Sequence, residues 1–434
     1  MNPTKSFQIR GRSSTQPKNV SLRLGFAIAF GVLLGIVLTV APMAPAQTFS
    51  TLHKFTGTPD GAFPFQSNLI DIGGTLYGTT GGGGAFGFGT IFKISSTGKE
   101  TVLYSFTGGA DGGQPSSGLV RDKNGNVYGT TFNGGDLSCV LLNLAGCGVV
   151  YEFNGSGLTV LYTFTGGADG AWPQGVILDA AGNVYGPTFF GGTSPTCPLG
   201  SNQCGVIFEL TPQGGTWNES VLYNFQGGTD GGEPNGFISM DRLGNIYGAT
   251  IIGGNNADCA GPGCGVIFKL AKGGKETALY TFTGGVDGAG PNGALLMGAK
   301  GLYGTTYAGG DLSCSNGSSV GCGVVFKITP TGKETVIYTF KGTPDAANPS
   351  YGFVADSMGN GYNTTIFGGT DNLGTVFEVT SKGHEKVLYS FTGGSDGANP
   401  QSGLIFDSKG NLYSNAVLGG DASCNCGTVF KIAP

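Results

Sequence analysis

The sequence predicts an all-β fold, a seven-bladed β-propeller with four antiparallel strands per blade, and three observations carry that prediction. A ten-residue phrase recurs: "LYSFTGGADG" at residues 103–112 returns as "LYTFTGGADG" at 161–170 and "LYSFTGGSDG" at 388–397. Aligned on its first residue, the phrase places Leu52, Leu103, Leu161, Leu222, Leu279, Ile337 and Leu388 at spacings of 51 to 61 residues, the length of one propeller blade. The two ends of the chain complement each other, which only a closed ring uses.

Residues 118–164 show how one unit divides. "GLVRD", "NVYGTT", "GVVYEF" and "LTVLYTF" each have the β-branched and aromatic content of a strand, and Gly, Asn or Asp marks every join. Two joins are tight hairpins, "DxxGN" and a "TPTGKE"-like turn, where Gly supplies the positive φ such turns need. The other two joins are long. In a radial stack of four-stranded sheets the hairpins fall on one face and the long loops on the other. One aromatic per unit (Phe92, Tyr151, Phe208, Phe268, Phe326, Phe377 and Phe430) is expected in the core between blades. "TGGADG" then reads as the link from an outer strand to the innermost strand of the next blade.

Closure follows from the ends. "FSTLHKF" at 49–55 matches a fourth strand, whereas the chain stops at "GTVFKIAP", directly after a third strand. The first strand is therefore expected to complete the last blade and cover its edge.

Ahead of this domain, taken as 47–434, residues 1–46 read as an export signal. Lys5, Arg10, Arg12, Lys18 and Arg23 precede the apolar run Leu24–Ala41, and Ala44-Pro45-Ala46 offers a cleavage site. An uncleaved membrane anchor is the alternative. Without the segment the chain carries 17 basic against 27 acidic residues. A net charge of −10 argues against nucleic acid as a partner.

The full unit, "LYxFTGGxDGxxPxxGLxxDxxGNxYGTTxxGG…GVVFKIxxxGKE", resembles the GloVer repeat of secreted bacterial proteins over residues 49–434. The resemblance implies a bacterial protein that is secreted, periplasmic or extracellular. It brings no activity and no functional residues. Members often carry a C-terminal sorting anchor, and this chain, ending at Pro434, shows no apolar segment there.

The ten cysteines fall in pairs, Cys139/Cys147, Cys197/Cys204, Cys259/Cys264, Cys314/Cys322 and Cys424/Cys426, each in the long loop before a third strand. The two units lacking a pair also have the short loop, so each pair is expected to staple its own loop in an oxidising compartment. Zinc is the rival, but each loop supplies two thiols and no histidine. Cys424 and Cys426 differ from the other pairs in that a C-x-C ring is strained.

Charge sorts by face. The long loops hold Asp60, Asp111, Asp136, Asp169, Asp230, Glu233, Asp258, Asp287, Asp311, Asp345, Asp371, Asp396 and Asp421 against Lys341 alone. One acid per blade is the Asp of "GGxDG", which reads first as a turn residue. Calcium at some loops stays open, although no run of alternating carboxylates appears. No cofactor is expected.

Discrimination between ligands should come from what the blades do not share. Shortly after the Asp, "DGxxP" varies as Phe63, Gln114, Trp172, Glu233, Gly290, Asn348 and Asn399, side chains expected near the mouth. Trp172 reads as an exposed sugar platform, with packing over the adjacent loop as the alternative. Phe63, Glu233 and Asp230 complete the candidate site. The histidines, His53 in the Tyr position of "LYxF" and His384 in a hairpin turn, are expected far from it.

These observations point to a secreted, monomeric binding module for an extracellular glycan, cell-wall component or protein, with no membrane contact beyond the signal segment. Two alternatives remain: a polysaccharide hydrolase or lyase using Glu233 and Asp230 as a carboxylate pair, and a purely structural surface protein.

Overall fold

A computed structural model of the chain describes residues 47–434 apart from 116, 196, 198–203, 255–258, 260 and 317–318. The export-signal expectation for 1–46 and the rim residue Asp258 lie outside the described residues. Seven antiparallel sheets follow one another in a propeller ring, and no helix among the described residues is long and apolar enough to cross a membrane.

Blade 2 shows the plan. From outside inward run Leu158–Thr163, Val149–Phe153, Val127–Asn133, and an innermost strand in two pieces, Gly113–Pro115 and Val120–Arg121. The sequence placed the first strand at "GLVRD" alone. It starts earlier: Gly113 and Pro115 pair with Asn133 and Thr131, Val120 and Arg121 pair with Tyr128 and Val127, and the stretch between them breaks the ladder near the axis. The axis itself is tied across blades, with Asn235 Nδ2 donating to Tyr351 Oη at 3.0 Å and Gly403 N to Asn68 Oδ1 at 2.6 Å.

The last sheet confirms closure. Thr48–Lys54 pairs antiparallel with Thr428–Ala433, outside Leu412–Ala416 and Ile405–Phe406. Its register carries the same irregularity as the six internal fourth strands. In blade 1, Ile91 faces Tyr104 while Phe92 faces Val102, so Leu103 is the extra residue of a β-bulge. Thr51 and His53 likewise face Phe430 and Val429, leaving Leu52 as the bulge. The residue that marks every repeat is thus the residue that bends its outer strand.

Aromatic rings join each blade to the next. Phe55 packs on Phe92, Phe106 on Tyr151, Phe164 on Phe208, Phe225 on Phe268, Phe282 on Phe326, Phe340 on Phe377 and Phe391 on Phe430, all with centroids 5.0–5.2 Å apart. These rings are fully buried.

The link aspartates lock the same seams. Asp111 accepts from Thr107 N at 2.9 Å and Tyr104 Oη at 3.0 Å, and Asp169, Asp230, Asp287, Asp345 and Asp396 repeat both contacts. At Asp60 the histidine substitutes, with His53 Nε2 3.1 Å from the carboxylate. His53 therefore does not lie far from the link loops; it holds one of them in place of a tyrosine hydroxyl.

A glutamate from the next outer strand lies by five of these aspartates. Burial, reinforced by the neighbouring Asp60, Asp169, Asp230 and Asp287, pushes Glu100, Glu219, Glu276 and Glu334 up to about 7. Burial and Asp345 push Glu385 to about 8. One oxygen of each of these glutamates is buried without a hydrogen-bond partner. At the other two seams the equivalent residues are Leu158 and Phe49, and Phe49 stacks on Tyr389 at 3.8 Å.

Candidate functional site

On the long-loop face the seven variable positions share one backbone state. Phe63, Gln114, Trp172, Glu233, Gly290, Asn348 and Asn399 all have φ between 50° and 59°, and each directly precedes a proline. Gly and Asn tolerate this left-handed conformation; Phe, Gln, Trp and Glu adopt it only where the surroundings enforce it. Enforcement comes from the preceding blade. The backbone N–H groups of Phe63, Trp172, Glu233, Gly290 and Asn348 donate to the carbonyls of Cys426, Cys147, Cys204, Cys264 and Cys322 at 2.8–2.9 Å.

That bond explains the cysteines. All ten are paired as the sequence suggested, Cys424 with Cys426 included, and the second member of each pair carries the accepting carbonyl. In the two blades without a pair, Phe88 and Leu373 accept from Gln114 and Asn399, both at 2.8 Å. Their side chains also fill the disulfide's place. A Cβ on Gly108 would meet the Phe88 ring at 2.6 Å and one on Gly393 would meet Leu373 at 2.7 Å, as one on Gly166 would meet Cys139 Sγ at 2.5 Å. An apolar side chain thus stands in for a crosslink. Replacing Cys139 and Cys147 together by serine is expected to cost about 2–3 kcal/mol, from closing a loop of this length, in urea unfolding under non-reducing conditions. An unchanged midpoint would remove the stapling role.

Three of the four candidate residues, Trp172, Asp230 and Glu233, are buried. Trp172 is only 5% exposed, with Phe132 at 4.1 Å and Phe190 at 4.9 Å from its ring. Its indole is walled in by aromatics at the ends of the strands Val127–Asn133 and Val184–Phe190 and offers no open platform. Asp230, 8% exposed, is engaged by Tyr223 Oη and Gln226 N, so it serves its turn. Asp230 is thus committed to the link between blades 3 and 4. Glu233 is itself buried, and burial pushes its carboxyl up to about 7.

Phe63 is the accessible member, 42% exposed. With Phe65, Gly81, Gln114, Pro115 and Phe132 it lines a cleft of about 270 Å³. Gly81 creates the space, because blade 1 carries glycine where the next blades have Phe132 and Phe189. A larger hollow, about 740 Å³, lies on the hairpin face between blades 3 and 4. Its Asp179 and Asp241 are occupied within their own hairpins by Asn183 and Asn245, which leaves the mouth as the stronger candidate.

Sequence reasoning missed the apolar loops. Apart from Leu243 and Met358 in hairpin turns and Met297 in the strand Ala289–Gly298, the exposed large apolar side chains among the described residues lie on the long-loop face, among them Phe86, Leu137, Val140 and Leu142. Asp136, Asp311 and Asp421 stand in the same loops. Hydrogen bonds from Ser138, Ser313 and Ser423 hold their carboxyls below the usual range and keep them ionised. No three His, Cys, Asp or Glu side chains among the described residues converge as metal ligands would.

A family model described as the Gloeobacter/Verrucomicrobia repeat matches residues 34–196, 142–315 and 312–434. Among curated proteins none matches. Two solved structures from B. thetaiotaomicron are similar in fold, each the extracellular domain assigned to a hybrid two component system, BT4673 and BT3049. Both are 14% identical over 89% of this chain, with TM-scores of 0.53 and 0.51. The chain spans about two fifths of their length, 42% and 41%. At this identity the likeness shows the fold alone.

Proposed function

Because the chain belongs to the Gloeobacter/Verrucomicrobia repeat family and closes into a propeller, we propose that it is an extracellular binding module whose ligand seats at the long-loop mouth. One observation carries the proposal. In a ring that repeats nearly everything else, the left-handed residue that precedes the link proline differs from blade to blade, and four of the seven are residue types that resist that conformation. Structure alone would be served by Gly or Asn, as at Gly290, Asn348 and Asn399. The five disulfides fit a secreted protein, and the extracellular domains of similar fold support the same setting.

The test is a binding screen of the purified protein against a glycan array, peptidoglycan fragments and peptides. A ligand found there is expected to bind the Phe63→Ser/Glu233→Gln variant at least about tenfold more weakly, about 1.4 kcal/mol. Leu243→Ser, on the hairpin face, should leave affinity unchanged. Equal binding by the mouth variant would overturn the proposal.

A further inference from the structure

Among the described residues, most of the exposed large apolar side chains of the long-loop face belong to blades 1 and 2. Over blades 1 and 2 Phe63, Phe65 and Phe132 line the cleft, the loop with exposed Phe86 and Phe88 meets it where Phe88 O accepts from Gln114 N at 2.8 Å, and the next long loop exposes Val140, Leu142 and Leu144. Monomeric proteins rarely leave so many large apolar groups together in water, and such patches mark interaction sites. The cleft is small. At about 270 Å³ it falls below the roughly 300–1,000 Å³ of sites that enclose a whole small molecule, and suits one or two inserted side chains.

Its chemistry argues against a sugar. A pyranose needs hydroxyl partners beside a ring face, and the one polar side chain in the cleft, Gln114, already accepts from Asn133 Nδ2 at 3.3 Å. Leu and Val on the surrounding loops offer a sugar nothing, but they match the apolar centre of a protein contact. The rim supplies the charge. Asp136 stands in the same loop as Val140 and Leu142, ionised and part-exposed, and Lys341, the one basic side chain of the long loops, sits at the entry to blade 6.

We infer that the mouth over blades 1 and 2 docks a cationic polypeptide segment, one large apolar side chain inserting between Phe63, Phe65 and Phe132 while flanking Lys or Arg residues meet the acidic rim. The inference rests on the proposed binding role of the mouth and names the partner's class. Apolar insertion gives affinity and the rim gives orientation and rate, so the two contributions separate by salt.

A random twelve-residue peptide display library selected on the purified full chain tests it. Enriched peptides should carry an aromatic or Leu next to Lys or Arg. Their synthetic forms should bind Phe65→Ser and Phe63→Ser at least about tenfold more weakly. Binding should also weaken between low and high salt, with Leu243→Ser as the unaffected control and circular dichroism showing that each variant is folded. Enrichment of neutral or acidic peptides, or no enrichment, overturns the inference. If peptides fail while a glycan or peptidoglycan fragment binds and is lost in the mouth variants, this partner assignment falls and the binding role stands. Peptide binding that ignores both Phe variants defeats both.

Discussion

Deleting residues 47–55 is expected to yield a chain that no longer folds to a soluble monomer. The deletion removes the whole Thr48–Lys54 ladder and leaves Thr428–Ala433 as an unpaired edge, the kind of edge that recruits other chains. It also removes four aromatic contacts at the closure, Phe49 with Tyr389, Phe391 and Phe430, and Phe55 with Phe92. A milder variant isolates the contact of Phe55 with Phe92. Phe55 is fully buried, so Phe55→Ala should cost about 3–5 kcal/mol in urea unfolding. Size-exclusion chromatography and near-ultraviolet circular dichroism read the deletion; a truncated protein that elutes as a folded monomer with unchanged unfolding would refute closure as a stabilising feature.

The second large effect is on pH. An acid whose folded pKa is raised binds its proton more tightly when folded, so it stabilises fully below its unfolded value, about 4.5, and that contribution is lost as pH rises through the folded value. For Glu100, Glu219, Glu276, Glu334 and Glu385 the loss runs from about pH 4.5 to about 7 or 8. The hairpin aspartates oppose it. Burial alone would raise Asp241, Asp356 and Asp407, but hydrogen bonds from Asn245, Asn360 and Asn411 hold them below the usual range, and their contribution disappears as pH falls below about 3.8. The Tm is therefore expected to peak near pH 4–5 and to fall towards pH 8. Replacing all five glutamates by glutamine should flatten that fall and raise Tm at pH 8 by at least about 2 °C. A wild-type Tm that is level or rising from pH 5 to 8 contradicts the buried-acid seams.

The ring was legible in the sequence because its determinants are local and repeated: the bulge leucine, the seam aromatics and the link aspartate each recur in almost every unit. Closure was legible because it depends only on counting strand types at the two ends. The site was less so. The left-handed backbone had a signal, since Gly290, Asn348 and Asn399 occupy the same slot as Phe63 and Trp172, yet composition at one position does not reveal dihedrals. Phe88 and Leu373 could have been aligned with the second cysteines, each lying directly before the glycine that opens the third strand. The burial of Trp172 had no such signal. It depends on Phe132 and Phe190, and only the packing of neighbouring blades brings those rings together.

The shared last sheet also fixes a timetable. Thr48 faces Ala433, so the earliest-made strand of the domain finds its partner only after the rest of the domain has been produced. Blades 1 to 6 contain all their own strands and can assemble while synthesis proceeds, but the contact that joins the ends has the greatest sequence separation in the molecule and the slowest loop to close. Until it forms, Thr48–Lys54 waits without a partner, a window in which a chaperone or a second nascent copy can compete for it.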